Sequence, residues 1–137
     1  MPANTSPIFT LTPDVAWGTS ALTTQNTAKD GTGTVLTVFT AGSNGSYVQK
    51  LRVRAAGTNV QTVLRLFINN GSTNATAANN ILFDEITVAS TTLSETTALN
   101  SYEIPLNFAL PAGYKLNVTI GTTVAAGLYV SVVGGDY

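Results

Sequence analysis

Along most of this chain apolar and polar side chains alternate with a period of two. The run Tyr47–Ala55 places Leu51, Val53 and Ala55 on one side and Lys50, Arg52 and Arg54 on the other. That is the pattern of a half-buried antiparallel strand, and it excludes a helix there. Val60–Asn69 repeats it, with Leu64, Leu66 and Ile68 inward and Val63, Arg65 and Phe67 opposite. Further segments rich in β-branched and aromatic residues are Phe9–Thr12, Val35–Thr40, Ile81–Val88, Ser101–Phe108, Tyr114–Ile120 and Leu128–Val133, which makes about eight strands. No segment carries a convincing helical period, although Ser94–Leu99 has room for a single turn.

The punctuation agrees with strands. Asn44-Gly45 and Gly57-Thr58-Asn59 supply residues that tolerate positive φ on either side of Tyr47–Ala55, so the centre of the chain reads as a three-stranded meander. Pro111-Ala112-Gly113 suits a type I turn before Tyr114–Ile120. Gly71–Asn80 and Ala89–Asn100 are too rich in Thr, Ser and Asn to be buried and are expected to project from the ends of the sheet. In the fifth segment, Ile81 and Phe83 would alternate inward, and Ile86 and Val88 continue the pattern only if a bulge adds one residue at Asp84-Glu85. The fold class is therefore all-β, an antiparallel β-sandwich with a jelly roll as the leading topology. The meander's tight hairpins argue against a strict jelly roll, because there consecutive strands often cross between sheets.

Residues 1–33 are different. Pro2, Pro7 and Pro13 fall in a stretch of weak periodicity that ends in the turn Asp30-Gly31-Thr32-Gly33. The expected organisation is an extended N-terminal arm over 1–33 and a β-sandwich over 34–137. Two placements of the single tryptophan, Trp17, follow: anchoring the arm in a neighbour's pocket, or capping the chain's own sandwich.

Composition narrows the chemistry. There is no histidine and no cysteine, and 9% of positions are charged, against about 25% in an ordinary domain. The commonest general base and metal ligand, and the readiest nucleophile, are absent. No catalytic residue, cofactor or metal is expected. Asp84-Glu85 lie on a strand whose neighbours face opposite ways, Asp30-Gly-Thr-Gly is too short for a calcium loop, and neither Gly31-x-Gly33 nor Gly134-Gly135 opens a helix that would cradle phosphate. Serines without a histidine partner announce no hydrolase. Hydrophobic residues nevertheless make up 44%. Apolar content this high with so few charges points to a surface partly covered by neighbouring chains, with a monomer solubilised by hydroxyls and amides as the alternative. The opening residues lack a basic segment followed by an apolar run, and no stretch approaches the roughly 20 apolar residues of a membrane span. A protein made soluble inside the cell, with no membrane partner, is expected.

The charges form a pattern. Four of the 6 bases, Lys50, Arg52, Arg54 and Arg65, are expected on two adjacent strands, facing away from the core as one basic stripe. Asp84, Glu85, Glu95 and Glu103 follow with no base among them. A net charge of −1 and few stacking aromatics argue against nucleic acid. The stripe is expected to meet carboxylates, either within the fold or across a subunit interface. Trp17, Lys50, Arg52, Arg54 and Arg65 are the candidate interface residues.

The segments Phe39–Ala55, Arg65–Gly71, Glu103–Leu116 and Val133–Tyr137 resemble a group of small tailed-bacteriophage virion structural proteins, over about residues 35–137. The resemblance lies in texture and turn placement rather than in a catalytic motif. It implies a capsid decoration (cement) protein, often trimeric, bound to the major capsid protein on the outer shell and assembled into the virion in the host cytoplasm. Its alternative is a tail or head-fibre component that contacts tail proteins. A carbohydrate-binding or adhesion module is a further possibility that would need a flat aromatic platform, and Tyr47, Phe67, Tyr102, Tyr114 and Tyr129 are scattered along the sequence.

Overall fold

The computed structural model describes residues 10–137, so the first residues of the expected arm, with Pro2, Pro7 and Phe9, lie outside the described residues. Eight strands follow in order: β1 (Thr12–Trp17), β2 (Leu36–Thr40), β3 (Ser46–Ala55), β4 (Thr62–Asn69), β5 (Asn80–Val88), β6 (Ser101–Leu110), β7 (Lys115–Ile120) and β8 (Leu128–Asp136). From β2 onward each lies where the alternation places it. Phe9 lies outside the described residues; among those described, the first strand begins at Thr12 and includes Pro13. Proline is tolerated there because β1 is an edge strand.

The strands form two four-stranded antiparallel sheets, β1-β8-β3-β6 and β2-β7-β4-β5. Every consecutive pair except β4–β5 crosses from one sheet to the other, and this is the eight-stranded jelly roll. The expected meander is therefore corrected. Both turns reverse the chain, Asn44-Gly45 with Gly45 at φ 84 and Gly57–Asn59 without positive φ, but β2, β3 and β4 are not mutual neighbours. Positive φ at a turn specifies a reversal without specifying which sheet receives the next strand.

The core lies between the sheets. Leu51, Val53 and Ala55 of β3, Leu64 and Leu66 of β4, Leu116, Val118 and Ile120 of β7, and Leu128, Val130 and Val132 of β8 are buried there. Val48 joins them although it is out of phase with Leu51, because the register shifts at Gln49 against both neighbouring strands. Gly134 of β8 pairs with Val48 beside this bulge, and a Cβ there would collide with the Tyr47 carbonyl. Gly134-Gly135 is thus a packing device for two closely approaching backbones.

Burial on the outer side of the second sheet departs from expectation. Phe67 points away from the core yet is fully buried, as are Asn69, Asn117 and Thr119 on the same side. The neighbouring segments are knitted together by a polar network. Asn26 Nδ2 donates to the carbonyls of Thr32 and Thr34 at 2.9 and 2.8 Å, Asn74 Nδ2 to those of Gly31 and Gly33 at 3.1 and 2.8 Å, and Asn80 Nδ2 to that of Asp30 at 3.2 Å. The connection 70–79 is therefore tied to the 26–34 segment instead of projecting freely. Asp30 Oδ1 accepts from the Thr32 hydroxyl at 2.6 Å and its N–H at 3.1 Å, which holds the carboxyl below its ordinary pKa.

From Thr10 onward the arm lies on this chain's own sandwich. β1 pairs with β8 from Thr12↔Asp136 to Trp17↔Ser131, Leu22 bridges Leu128, and the Asn26 N–H donates to the Ile120 carbonyl at 2.8 Å. Ser94–Leu99 forms no helical turn. The one short helical element among the described residues is a 3-10 turn at Ala77–Asn79.

Candidate interaction surface

The outer face of the first sheet brings most of the expected interface residues together. Odd-numbered residues of β1 and β8 face outward, and the register aligns Trp17, Ser131 and Arg52 in one row and Val15, Val133 and Lys50 in the next. Arg54 pairs with Tyr129 in a third row. Trp17 is 68% exposed and Tyr129 60%. In antiparallel pairing Tyr129 is the diagonal neighbour of Trp17, about 7–8 Å away. Leu11, Pro13 and Val15 continue the exposed row along the edge. The sequence reading selected Trp17 but missed its apolar partners Leu11, Val15, Tyr129 and Val133, because only the β1–β8 pairing assembles them. Trp17 caps neither the core nor a pocket of its own chain.

Arg65 does not belong to this face. It lies on β4, in the other sheet, so the single basic stripe is corrected to a three-residue row on β3 and a separate arginine. The two adjacent strands assumed from the meander are in fact back to back. Arg65 is 13% exposed at its side chain and sits 3.3 Å from Glu85 Oε2, opposite it on β5. The Nε–Oε2 contact is an ion pair without hydrogen-bond geometry, and Nη1 is buried without a hydrogen-bond partner among the described residues. Lys50 Nζ meets Glu103 Oε1 at 3.1 Å, across the β3–β6 pair. Arg52 reaches only the Ser101 hydroxyl, at 3.3 Å, and Arg54 has no ion pair among the described residues. The acids thus pair partly within the fold: Glu103, opposite Arg52 in register, meets Lys50, so three bases share one carboxylate and Arg54, opposite Tyr129, makes no ion pair among the described residues.

A second apolar surface lies on the opposite side. β5 and β6 are the edges of their respective sheets, and Phe83 and Phe108 close the flank between them edge to face, with ring centroids 5.1 Å apart. The bulge expected at Asp84-Glu85 is present one residue earlier: Leu66 pairs with Asp84 and Phe67 with Leu82, so Phe83 is the extra residue. Ile81 and Phe83, expected inward, are 63% and 44% exposed because β5 is an edge strand that the opposite sheet covers only in part. Asp84 and Glu85 are exposed beside them. They face opposite sides of the strand, as their register partners Leu66 and Arg65 require, and share no substrate position.

Among the described residues no three His, Cys, Asp or Glu side chains gather where a metal would bind. A cavity of about 580 Å³ forms an open trough between 20–27 and 34–36, lined by Thr, Ser, Gln, Asn and aliphatic side chains. No helix among the described residues is long and apolar enough to cross a membrane. No protein-family model matches the chain, and no curated protein matches it.

Proposed function

We propose that this chain is a non-enzymatic structural subunit of a tailed-bacteriophage virion, a capsid decoration protein that assembles as a homotrimer and binds the major capsid protein on the outer shell. The observation that carries the reading is the pair of exposed apolar surfaces on opposite sides of one small jelly roll, Trp17 with Tyr129 and Ile81 with Phe83. A chain with so few charges leaves such patches open only where other subunits cover them. The resemblance of residues 35–137 to small virion proteins supplies the setting. The test is quantitative mass spectrometry of purified particles of the phage that encodes it. Hundreds of copies per particle are expected; a few or a few dozen would move the protein to the tail or a head fibre, and absence from particles would overturn the reading.

One observation favours a second reading. Trp17 and Tyr129, remote in sequence, are diagonal neighbours exposed on one sheet face, with Arg54 opposite Tyr129, and exposed aromatic rings on one face are able to stack on sugar rings. Retention of a glycan by the wild-type protein, lost in Trp17→Ala, would support an adhesion module instead.

A further inference from the structure

The two apolar surfaces carry opposite charge. Beside Trp17 and Tyr129, Arg52 and Arg54 are exposed and not paired with acids; beside Ile81 and Phe83, Asp84 is exposed and makes no ion pair among the described residues. Trp17 on β1 and the flank beyond β6 lie at the two ends of the first sheet, three strand spacings or about 14 Å apart, while Arg52 and Arg54 on β3 face outward and make no ion pair with Asp84. The two surfaces do not meet within one chain. A two-fold contact of either surface with its own copy would set arginines against arginines or carboxylates against carboxylates, and like-charge juxtaposition opposes it.

We infer that the Trp17–Tyr129 face of one subunit docks on the Ile81–Phe83 flank of the next, a head-to-tail contact in which Arg52 and Arg54 meet the next copy's Asp84. The occupant of each surface is a second copy of this chain. Because the two surfaces differ and lie on opposite sides, each subunit offers one of each, and repetition closes a ring where the rotation permits. The flank suits this role by comparison with the other edges. β1 contains Pro13, β6 contains Pro105 and the left-handed Asn107 (φ 54), and β2 has 5 residues. β5 runs for 9 residues with no proline or glycine, and its bulge at Phe83 and its acids Asp84 and Glu85 turn it from strand addition toward side-chain docking. The inference rests on the assembling-subunit part of the proposed function and is independent of the virion setting.

The test uses the purified full chain, two variants and analytical ultracentrifugation. The face variant carries Arg52→Glu and Arg54→Glu; the flank variant carries Ile81→Arg and Asp84→Arg. All four positions are exposed, and circular dichroism verifies the fold. The wild-type chain is expected to sediment as a closed oligomer and each variant as a monomer, with association weakened at least tenfold, or about 1.4 kcal/mol. Mixed in equal amounts, the variants are expected to associate again, because the unchanged face of one fits the unchanged flank of the other and the reversed face fits the reversed flank. A chain carrying all four substitutions is expected to recover the oligomer, its charges being exchanged rather than removed. A monomeric wild type at high micromolar concentration, variants that still assemble, or a mixture that stays monomeric would each overturn the inference. Absence of the protein from virions would leave this result standing and defeat only the setting.

Discussion

At the scale of single residues, the side chains that matter most are those whose burial contradicts their phase along the strand. Phe67 faces away from the core and is still fully buried, so Phe67→Ala is expected to cost about 3–5 kcal/mol, as at a central core position. Urea unfolding checks this, and a loss below about 1 kcal/mol would mean that the surroundings collapse onto the gap. Arg65 gives the opposite expectation. Its guanidinium is largely buried while its partner Glu85 is 56% exposed and stays hydrated without it, so removing the arginine relieves desolvation and loses a half-exposed ion pair worth about 0–1 kcal/mol. Arg65→Met should leave the unfolding midpoint unchanged or raised, whereas a subunit-binding role for Arg65 would appear as lost assembly. Asp30 sets a pH effect. Its carboxyl, held below its ordinary pKa by Thr32, stabilises the turn above the unfolded value, and that contribution disappears as pH falls through the lowered one. NMR titration should find Asp30 the more acidic in wild type and nearer its ordinary value in Thr32→Val.

At the scale of elements, the positions of the strands were legible from sequence and their partners were not. Period-two alternation is a local property, and it located β3 and β4 within two residues because each has one face on the core. Sheet membership depends on pairings such as Trp17↔Ser131, which join the beginning of the described chain to its end, and no local signal encodes them. The candidate surface was therefore half legible. Lys50, Arg52 and Arg54 announced an outward row, but the aromatic pair beside them and the removal of Arg65 to the other sheet required the topology. The bulge in β5 was read to within one residue because Ile86 and Val88 are out of phase with Ile81. The arm was misread over its described part because prolines and weak periodicity also describe an edge strand. Since β1 covers β8, and residues 22–34 supply Leu22 to the core and Asn26 to the polar network, deletion of residues 1–33 is expected to abolish a cooperative thermal transition. A truncated chain that still melts cooperatively would show that the β2–β8 body suffices.

At the scale of the whole molecule, the order of the strands in the first sheet has a consequence for biosynthesis. β8, the last strand in sequence, lies inside that sheet, between β1 and β3. While the ribosome is still making the chain, neither β1 nor the outer side of β3 has its partner, and Val130 and Val132 are missing from the interior. The nascent chain therefore has no stable stopping point before Leu128 emerges. Stalled chains ending before Leu128 are expected to be degraded rapidly by added protease, and chains extended so that Asp136 clears the exit tunnel to resist it. Gradual acquisition of resistance with length would contradict this, whereas an abrupt onset would mark the final strand as the bolt that locks the fold.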